Sequence, residues 1–517
     1  MLKKLLICIA LLSGTGGVFA QDTSVPHPGR NDVPVTGTLP VMYINTENSV
    51  PVTQKETYVQ ATYWIDCKGS SKYESVGSEA APLALEIRGR GNASWTYDKK
   101  PYKIKLGKKT SILGLPKQKH FALLNHAPAQ EGLAEAICFE LGRRIGLAWT
   151  PGIVPVEVVL NSYNIGIYYL TESVKIDSNR INIYEQPDEN TDETTVDGGW
   201  LVEIDNYDDP CQVKITQDPS GIAFQKGFTY KTPEVLSGIQ ETWLINELTT
   251  ITNLLYDEDK TDNTWLEMID GPELARYYIV QELTCNLDAF VGSTYMYKDL
   301  GGKWMFGPLW DSGWTFNSSP RTGTLYEERE KLCEGVEGCD PQYLGITWIK
   351  EMWKFPAFRE MVMEEWKKFY PDKVSTMADY IDGFINDTSE AFTLNYNTLW
   401  PQYPYYDPDY LRRLYKQNVE DYAKWTDQYF QTAAIVDIEA DMDLNVSLRV
   451  ENLGNGLFRF NAGGIEVESV SVFDLKGTEV ANRAEGDNTF RISAGNGMFV
   501  ARAYLANGKQ AVAKFKI

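Results

Sequence analysis

The chain has 517 residues, 43% of them hydrophobic, with 49 Lys and Arg set against 71 Asp and Glu for a net charge of −22. That length exceeds one simple core and predicts two to four domains, while the acidic balance argues against nucleic acid or anionic membrane as a partner, since both need a basic neutralising surface. Only three His occur, at 27, 120 and 126, and no CxxC or Cys/His spacing is present, which argues against a zinc site, multi-His metal chemistry and Ser-His-Asp hydrolysis.

Residues 1–20 combine a basic start, an apolar core and the small-residue ending Val18-Phe-Ala20, the pattern of an export signal removed from the mature chain. Cys8 lacks the Gly or Ala expected before a lipid-modified cysteine, and no later stretch approaches the eighteen continuous apolar residues of a membrane span. Residues 21–37, with Pro26, Pro28, Gly29 and Pro34, read as an exposed linker. Strands are expected at Leu39–Asn45, Tyr58–Asp66 and Leu83–Arg88, followed by the Gly-rich turn Arg88-Gly-Arg-Gly-Asn-Ala-Ser-Trp-Thr96 and the strand Lys99–Leu106. Pleating there puts Tyr102, Ile104 and Leu106 on one face and Lys103 with Lys105 on the other.

Apolar residues Leu133, Ile137, Leu141 and Ile145 recur at helical spacing and predict a helix to Leu147 with Glu135 and Glu140 on its flanks. Pro155–Leu160 and Gly166–Glu172 read as a hairpin about Asn161–Asn164, and Gly199–Asp205 as a further strand. From Val235 the pattern turns helical, at Ile239–Leu255, Gly271–Thr284, Tyr343–Trp366 and Tyr410–Ala434. Between them, Thr294–Tyr297 and Lys303–Gly307 read as paired strands, with Asp288 before the hairpin and Asp311 after it. Such a pair suits a proton acceptor and a metal ligand, although Asp also caps turns for purely local reasons. The stripe Leu411, Tyr415, Asn418, Tyr422, Trp425, Tyr429 reads as core. The Pro- and Tyr-rich segment Trp400–Pro408 is either a rigid lid or a set of exposed rings for stacking. Residues 440–517 hold short strands with Gly and Asn turns, as in a small β-sandwich. Six Cys follow the signal, and Cys333 with Cys339, separated by glycines, is the one disulfide drawn.

The segments Ile87–Trp95, Lys99–Leu106, Gly199–Asp205 and Gly307-Pro-Leu-Trp-Asp311, taken in order, resemble the CotH kinase-like family over roughly residues 39–432. The resemblance implies an α+β fold: an atypical protein-kinase-like domain over 38–435, β-rich first and helical later, ahead of the small β-sandwich at 440–517. It implies transfer of phosphate from ATP, with Mg²⁺ or Mn²⁺, to Ser or Thr of an extracytoplasmic protein. Carried over, Arg88 and Ser94 lie in the phosphate-proximal loop, Lys105 or, second, Lys103 anchors the nucleotide, Glu135 is that lysine's partner, Asp288 is the catalytic-loop base and Asp311 holds the metal. The chain departs from the family pattern at Ser293, Gly313 and Ala134, where Asn, Asp and Arg are usual. The C-terminal unit, through Val470–Gly477 and Gly497–Ala503, resembles the sorting domain of type IX secretion cargo of Bacteroidetes-like bacteria, which implies handling by that machinery and a place outside the cell or on its surface. The alternatives are a catalytically degenerate surface protein binding a protein or glycan and, third, a carboxylate-pair glycan hydrolase.

Overall fold

Period-two alternation in the first part of the chain is the pattern of a sheet with one dry face, and seven strands use it to close on themselves. In the computed structural model these are β1 (Val41–Thr46), β2 (Val59–Asp66), β3 (Leu83–Gly89), β4 (Tyr102–Ile112), β5 (Leu115–Leu124), β6 (Ile153–Leu160) and β7 (Tyr163–Glu172), in barrel order β1-β2-β3-β4-β5-β7-β6. Neighbours are antiparallel apart from β1 and β6, which run parallel and complete the closure. Residues 26–125, 131–205, 209–215, 227–286, 288–290, 292–313, 315–316, 348–440, 448–474, 478–495, 497–506 and 509–517 are described. The signal segment, His126, Cys333 and Cys339 lie outside them.

Ile44, Tyr63, Ile87, Ile104, Phe121 and Leu170 fill the barrel and are at most 1% exposed. Burial of such side chains contributes ~1.5–3 kcal/mol each. Two strand joints are tighter than expected. Asn161 (φ 51°) with Ser162 (φ 68°), and Leu113 (φ 51°) with Gly114 (φ 76°), are two-residue turns with both centres left-handed, which suits the right-handed twist of the strands they join. Consequently β4 runs on to Ile112 instead of stopping at Leu106, while Lys99 lies before the strand. Residues 30–37, read as linker, bond to the barrel: Arg30 pairs with Asn164, and the Glu157 carboxylate accepts from Thr36 N and Oγ1 at 2.8 and 2.9 Å.

A second sheet, ordered β12-β11-β8-β10-β9, holds β8 (Trp200–Ile204) at its centre, with β9 (Gln212–Val213), β10 (Phe228–Thr232), β11 (Thr294–Lys298) and β12 (Trp304–Phe306). The expected β11–β12 hairpin is present, with Met296 opposite Phe306. Helix α1 (Glu131–Ile145) follows the barrel's fifth strand. Next come α2 (Gly238–Tyr256), started by a Ser237/Gln240 capping box, and the short α3 (Trp265–Met268). Helix α4 (Gly271–Leu283) is capped by Asp270, with Pro272 in its first turn. The helix expected over 343–366 is two, α5 (Trp348–Met352) and α6 (Pro356–Phe369), because Pro356 can start a helix but not continue one. After the one-turn α7 (Asp372–Ser375), α8 (Met377–Leu394) was not anticipated: its Asp, Asn, Thr and Ser content hides the seam Ile381, Phe384, Ile385, Thr388 and Phe392 that it buries. The last helix is α9 (Pro408–Ala440). Its core seam includes Leu411, Tyr415 and Tyr422 as expected, together with Val419, whereas Asn418 and Trp425 are only half-buried.

The chain divides into two units between Thr426 and Asp427. The second contains β13 (Arg449–Gly454), β14 (Leu457–Asn461), β15 (Val467–Asp474), β16 (Glu479–Val480), β17 (Asn482–Gly486), β18 (Thr489–Ile492), β19 (Met498–Leu505) and β20 (Gln510–Lys516). They form two four-stranded sheets, β13-β14-β18-β17 and β16-β15-β19-β20, whose inner residues, among them Phe458, Phe460, Val472, Phe490 and Phe515, share one apolar cluster. The whole is the mixed α+β plan expected. Among the described residues no helix is long and apolar enough to cross a membrane, and Cys67, Cys138, Cys211 and Cys285 form no disulfide.

Candidate functional site

The outer face of β3 and β4 gathers positive charge. Arg88 stands opposite Lys103 in the ladder, and Glu86 opposite Lys105. Lys105 is taken up by Glu86 at 2.7 Å and is 39% exposed, so the lysine favoured from sequence is half of a surface ion pair. Glu86 raises the Lys105 pKa. Lys103 has the opposite fate: burial, then the charges of Arg88, Arg90 and Lys175, push its ammonium down to about 8. His120, beyond them on β5, is lowered to about 4 by burial and by Lys175 and Lys103. Positive charge that lowers Lys103 and His120, with little carboxylate to balance it, favours an anion at this face.

The Gly-rich turn is fastened beside this cluster. Gly89 N donates to Gln54 O at 2.9 Å, Arg90 N to Pro101 O at 3.2 Å, and Lys55 Nζ to Gly91 O at 2.9 Å. Gly91 has φ +81°, and a Cβ there would collide with Ser94 Oγ, so glycine is what lets the turn fold back over Ser94. Asn125 joins the turn to the end of β5, donating from Nδ2 to Lys99 O at 2.5 Å and Ser94 O at 3.4 Å. Lys99 is fully buried. Its Nζ donates to Asn125 O at 3.0 Å and to Ile167 O, and lies 4.5 Å from the Tyr168 ring centre; burial holds its pKa well below that of an ordinary lysine. Arg88 donates to Lys55 O and covers the Tyr58 ring at 5.0 Å.

Negative charge enters from the other side. Asp311 is exposed, at φ 56°, on the segment leaving β12. Helix α1 braces that segment twice: Glu135 Oε2 accepts from Ser312 N at 2.7 Å, and Phe139, one turn later, stacks on Trp310 at 6.4 Å and 27°. Phe316 then packs against Tyr415 and Tyr422 of α9, 5.7 Å from each. Glu135 is 2% exposed with Oε1 buried and unpartnered. Burial first, then the nearby Asp311 carboxylate, push its pKa up to about 8.

The Asp288 loop closes on the same segment. Asn286, locked by Nδ2 to Gln281 Oε1 at 2.9 Å, accepts from Asp288 N at 3.2 Å; Asp288 O accepts from Gly292 N at 2.9 Å; and Ser293 Oγ donates to Asp311 Oδ2 at 3.3 Å. Cys285, Phe290, Ser293, Asp311 and Phe316 all have positive φ, a concentration of costly backbone that surrounding structure must hold and that gathers at working sites.

The structure therefore brings Arg88, Lys103 and the Ser94 turn to one end and Glu135, Asp311 and the Asp288 loop to the other, and leaves Lys105 aside. Glu135 does not pair with Lys105, which Glu86 holds. Sequence reasoning missed Arg90, whose guanidinium lies 5.4 Å over the Trp310 ring, although the pleating argument used for Lys103 and Lys105 applies equally to Arg88 and Arg90. It also missed Glu203 of β8, buried, ion-paired with Lys231 at 2.7 Å and opposite Tyr295. No local pattern signals that pair.

Among the described residues no three His, Cys, Asp or Glu side chains form a metal-holding group. The residues fit a hard cation brought with phosphates: such a cation takes one or two carboxylates and completes its shell with phosphate and water oxygens. Asp311 and the orphaned Oε1 of Glu135 are oxygen donors of that kind. A family described as CotH kinase protein matches residues 87–429, well over half of the chain. Comparison with curated proteins gives no match.

Proposed function

We propose that this chain, which belongs to the CotH kinase family by that match, transfers the γ-phosphoryl group of ATP to Ser or Thr hydroxyls of an extracytoplasmic protein. The observation that carries this reading is that Arg90 links the two groups: it acts on Lys103, as Arg88 and Lys175 do, and lies 5.4 Å over Trp310, next to Asp311 and to the Ser312 N–H that Glu135 holds. Phosphoryl transfer asks mainly for positioning and for charge neutralisation on the transferring group. Arg88, Lys103 and the Ser94 turn hold the phosphates. Asp311, with Glu135 behind it, would hold a Mg²⁺ or Mn²⁺ by its carboxylate oxygens, and that ion would supply Lewis-acid neutralisation. Asp288 orients the acceptor hydroxyl and receives its proton as the acceptor oxygen bonds to γ-phosphorus and the bond to the β–γ bridging oxygen breaks. Residues 1–20 act as an export signal, and the two sheets after Asp427 as a β-sandwich sorting domain for the secretion machinery. The protein then works outside the cytoplasm or on the cell surface.

Calorimetric titration of ATP with Mg²⁺ or Mn²⁺ into the mature protein tests the reading, alongside Asp288→Ala and Asp311→Ala. Metal-dependent binding that Asp311→Ala removes and Asp288→Ala keeps supports it. Absence of binding in a wild type that melts cooperatively sinks it and leaves the second reading, a degenerate surface scaffold. One observation favours that second reading: Ser293 spends its hydroxyl on Asp311 and offers no carboxamide to a metal. In the scaffold, the aromatic segment would carry recognition. Trp400 donates from Nε1 to Ile165 O at 3.1 Å, and Tyr403 Oη accepts from Asp98 N at 2.9 Å, which leaves Tyr405 and Tyr410 as the exposed rings.

A further inference from the structure

We infer that Arg90, not a lysine of β4, is the cation that works with the helix carboxylate Glu135, gripping the transferring phosphoryl group across Asp311. The inference rests on the phosphotransfer reading and assigns within it a residue that the Lys–Glu expectation passes over. Arg90 and Glu135 hold the two ends of one three-residue segment: the guanidinium lies 5.4 Å over the ring of Trp310, and Glu135 takes the N–H of Ser312 at 2.7 Å, with Asp311 between. Trp310 is itself backed by Phe139, on the same helix as Glu135. The guanidinium is thus tied to helix α1 through the Trp310 ring.

Both partners are left with unused capacity. Among the described residues the Arg90 guanidinium makes no hydrogen bond or close ion pair; it lies over the Trp310 ring and feels the charges of Asp311, Tyr295, Glu135 and Glu203. Glu135 Oε1 is fully buried and has no partner. A half-buried guanidinium with free donors is costly unless something fills the place beside it. Its planar fork fits two oxygens of a phosphate at once, which a lysine ammonium cannot do. Arg90 is also the cation that acts on both ends of the site, on Lys103 and on Glu135. The group that sits between those ends during transfer is the γ-phosphoryl. Lys105 is unavailable for the part because Glu86 holds it, and Lys103 stands with Arg88 at the phosphate end.

The test uses the full mature chain, ATP with Mg²⁺ or Mn²⁺, calorimetry and thermal melts, on Arg90→Gln, Arg90→Lys, Glu135→Gln, the Arg90→Gln/Glu135→Gln double variant and Lys105→Met. Arg90→Gln is expected to weaken ATP about tenfold to a hundredfold, the scale of a lost charge-assisted pair, while melting within a few degrees of wild type. Arg90→Lys should recover only part of the loss. Glu135→Gln should weaken ATP in the wild-type background and much less in the Arg90→Gln background, since paired residues are not additive. Lys105→Met should bind as wild type does. Arg90→Gln binding at wild-type strength, or a loss in Lys105→Met that Arg90→Gln does not share, overturns the assignment while leaving phosphotransfer intact. A well-folded wild type that binds no ATP removes both, and that outcome is recognisable before any variant is compared.

Discussion

Replacing Lys103 by Met should make the ligand-free protein more stable and the nucleotide complex weaker. The ammonium is pushed from 10.5 to about 8 by burial and by Arg88, Arg90 and Lys175. At ~1.4 kcal/mol for each pH unit, that displacement corresponds to about 3 kcal/mol by which the folded protein disfavours the charged form. Met keeps most of the aliphatic stem and discards the charge, so a gain of about 1–3 kcal/mol is expected at pH 7. The sign follows from proton counting. Between about 8 and 10.5 the folded state binds fewer protons at this site than the unfolded chain, so wild-type stability rises with pH across that window; below about 8 the penalty is complete. The advantage of Lys103→Met should therefore be full at pH 7 and fade towards pH 10. An arriving phosphate neutralises the cluster and restores the worth of the ammonium, so the same variant should lose about tenfold in ATP affinity. Melting curves at pH 7, 8.5 and 10, with calorimetry at pH 7, measure all three effects. A variant less stable at pH 7, or one whose advantage persists unchanged to pH 10, refutes the like-charge argument.

Asp288→Asn should bind ATP with wild-type affinity and lose about a hundredfold or more in turnover, the size of a missing general base; equal losses in binding and turnover by single-turnover kinetics would move Asp288 from chemistry to structure. Lys105→Ala breaks a surface ion pair with Glu86 and should cost under ~1 kcal/mol by denaturant titration, because exposed pairs contribute little. Gly91→Ala forces a Cβ onto Ser94 Oγ at φ +81° and should weaken ATP by calorimetry while the barrel still melts cooperatively. Tyr403→Phe removes the acceptor for Asp98 N and Lys99 N and should cost about 1 kcal/mol by melting.

The barrel was legible wherever alternation was strict. The strands at Val59–Asp66 and Leu83–Gly89 match their expected ranges closely because one face must be dry, and a slip of one residue would turn Ile65 or Ile87 outward. Boundaries failed where the determinant is not alternation: the Leu113–Gly114 turn has only one glycine to advertise two left-handed residues. In the site, pleating grouped Lys103 with Lys105 correctly but could not rank them, because the ranking depends on what crosses from the next strand. Arg88 lies opposite Lys103 and Glu86 opposite Lys105, and that register is set by a turn distant from both. Glu135 was legible as a helix-flank carboxylate, whereas its bond to Ser312 joins residues far apart in the chain and leaves no local trace.

A net charge of −22 argues against a polyanion lying along the surface, yet the site presents cations to an anion, and both statements hold because they act over different lengths. At physiological salt the Debye length is about 8 Å, so exposed carboxylates elsewhere on the molecule scarcely reach the phosphates of a bound nucleotide. Arg88, Arg90 and Lys175 lie close enough to Lys103 to lower its pKa, which is to say within the range where screening is incomplete. Nucleic acid must meet a favourable potential over many such lengths, and a nucleotide triphosphate needs it over about one. Net charge is thus a property of the whole surface that sets solubility and long-range steering, whereas the local balance of Lys103 against Glu234, and of Arg90 against Asp311 and Glu135, sets the charge of the ligand these residues favour.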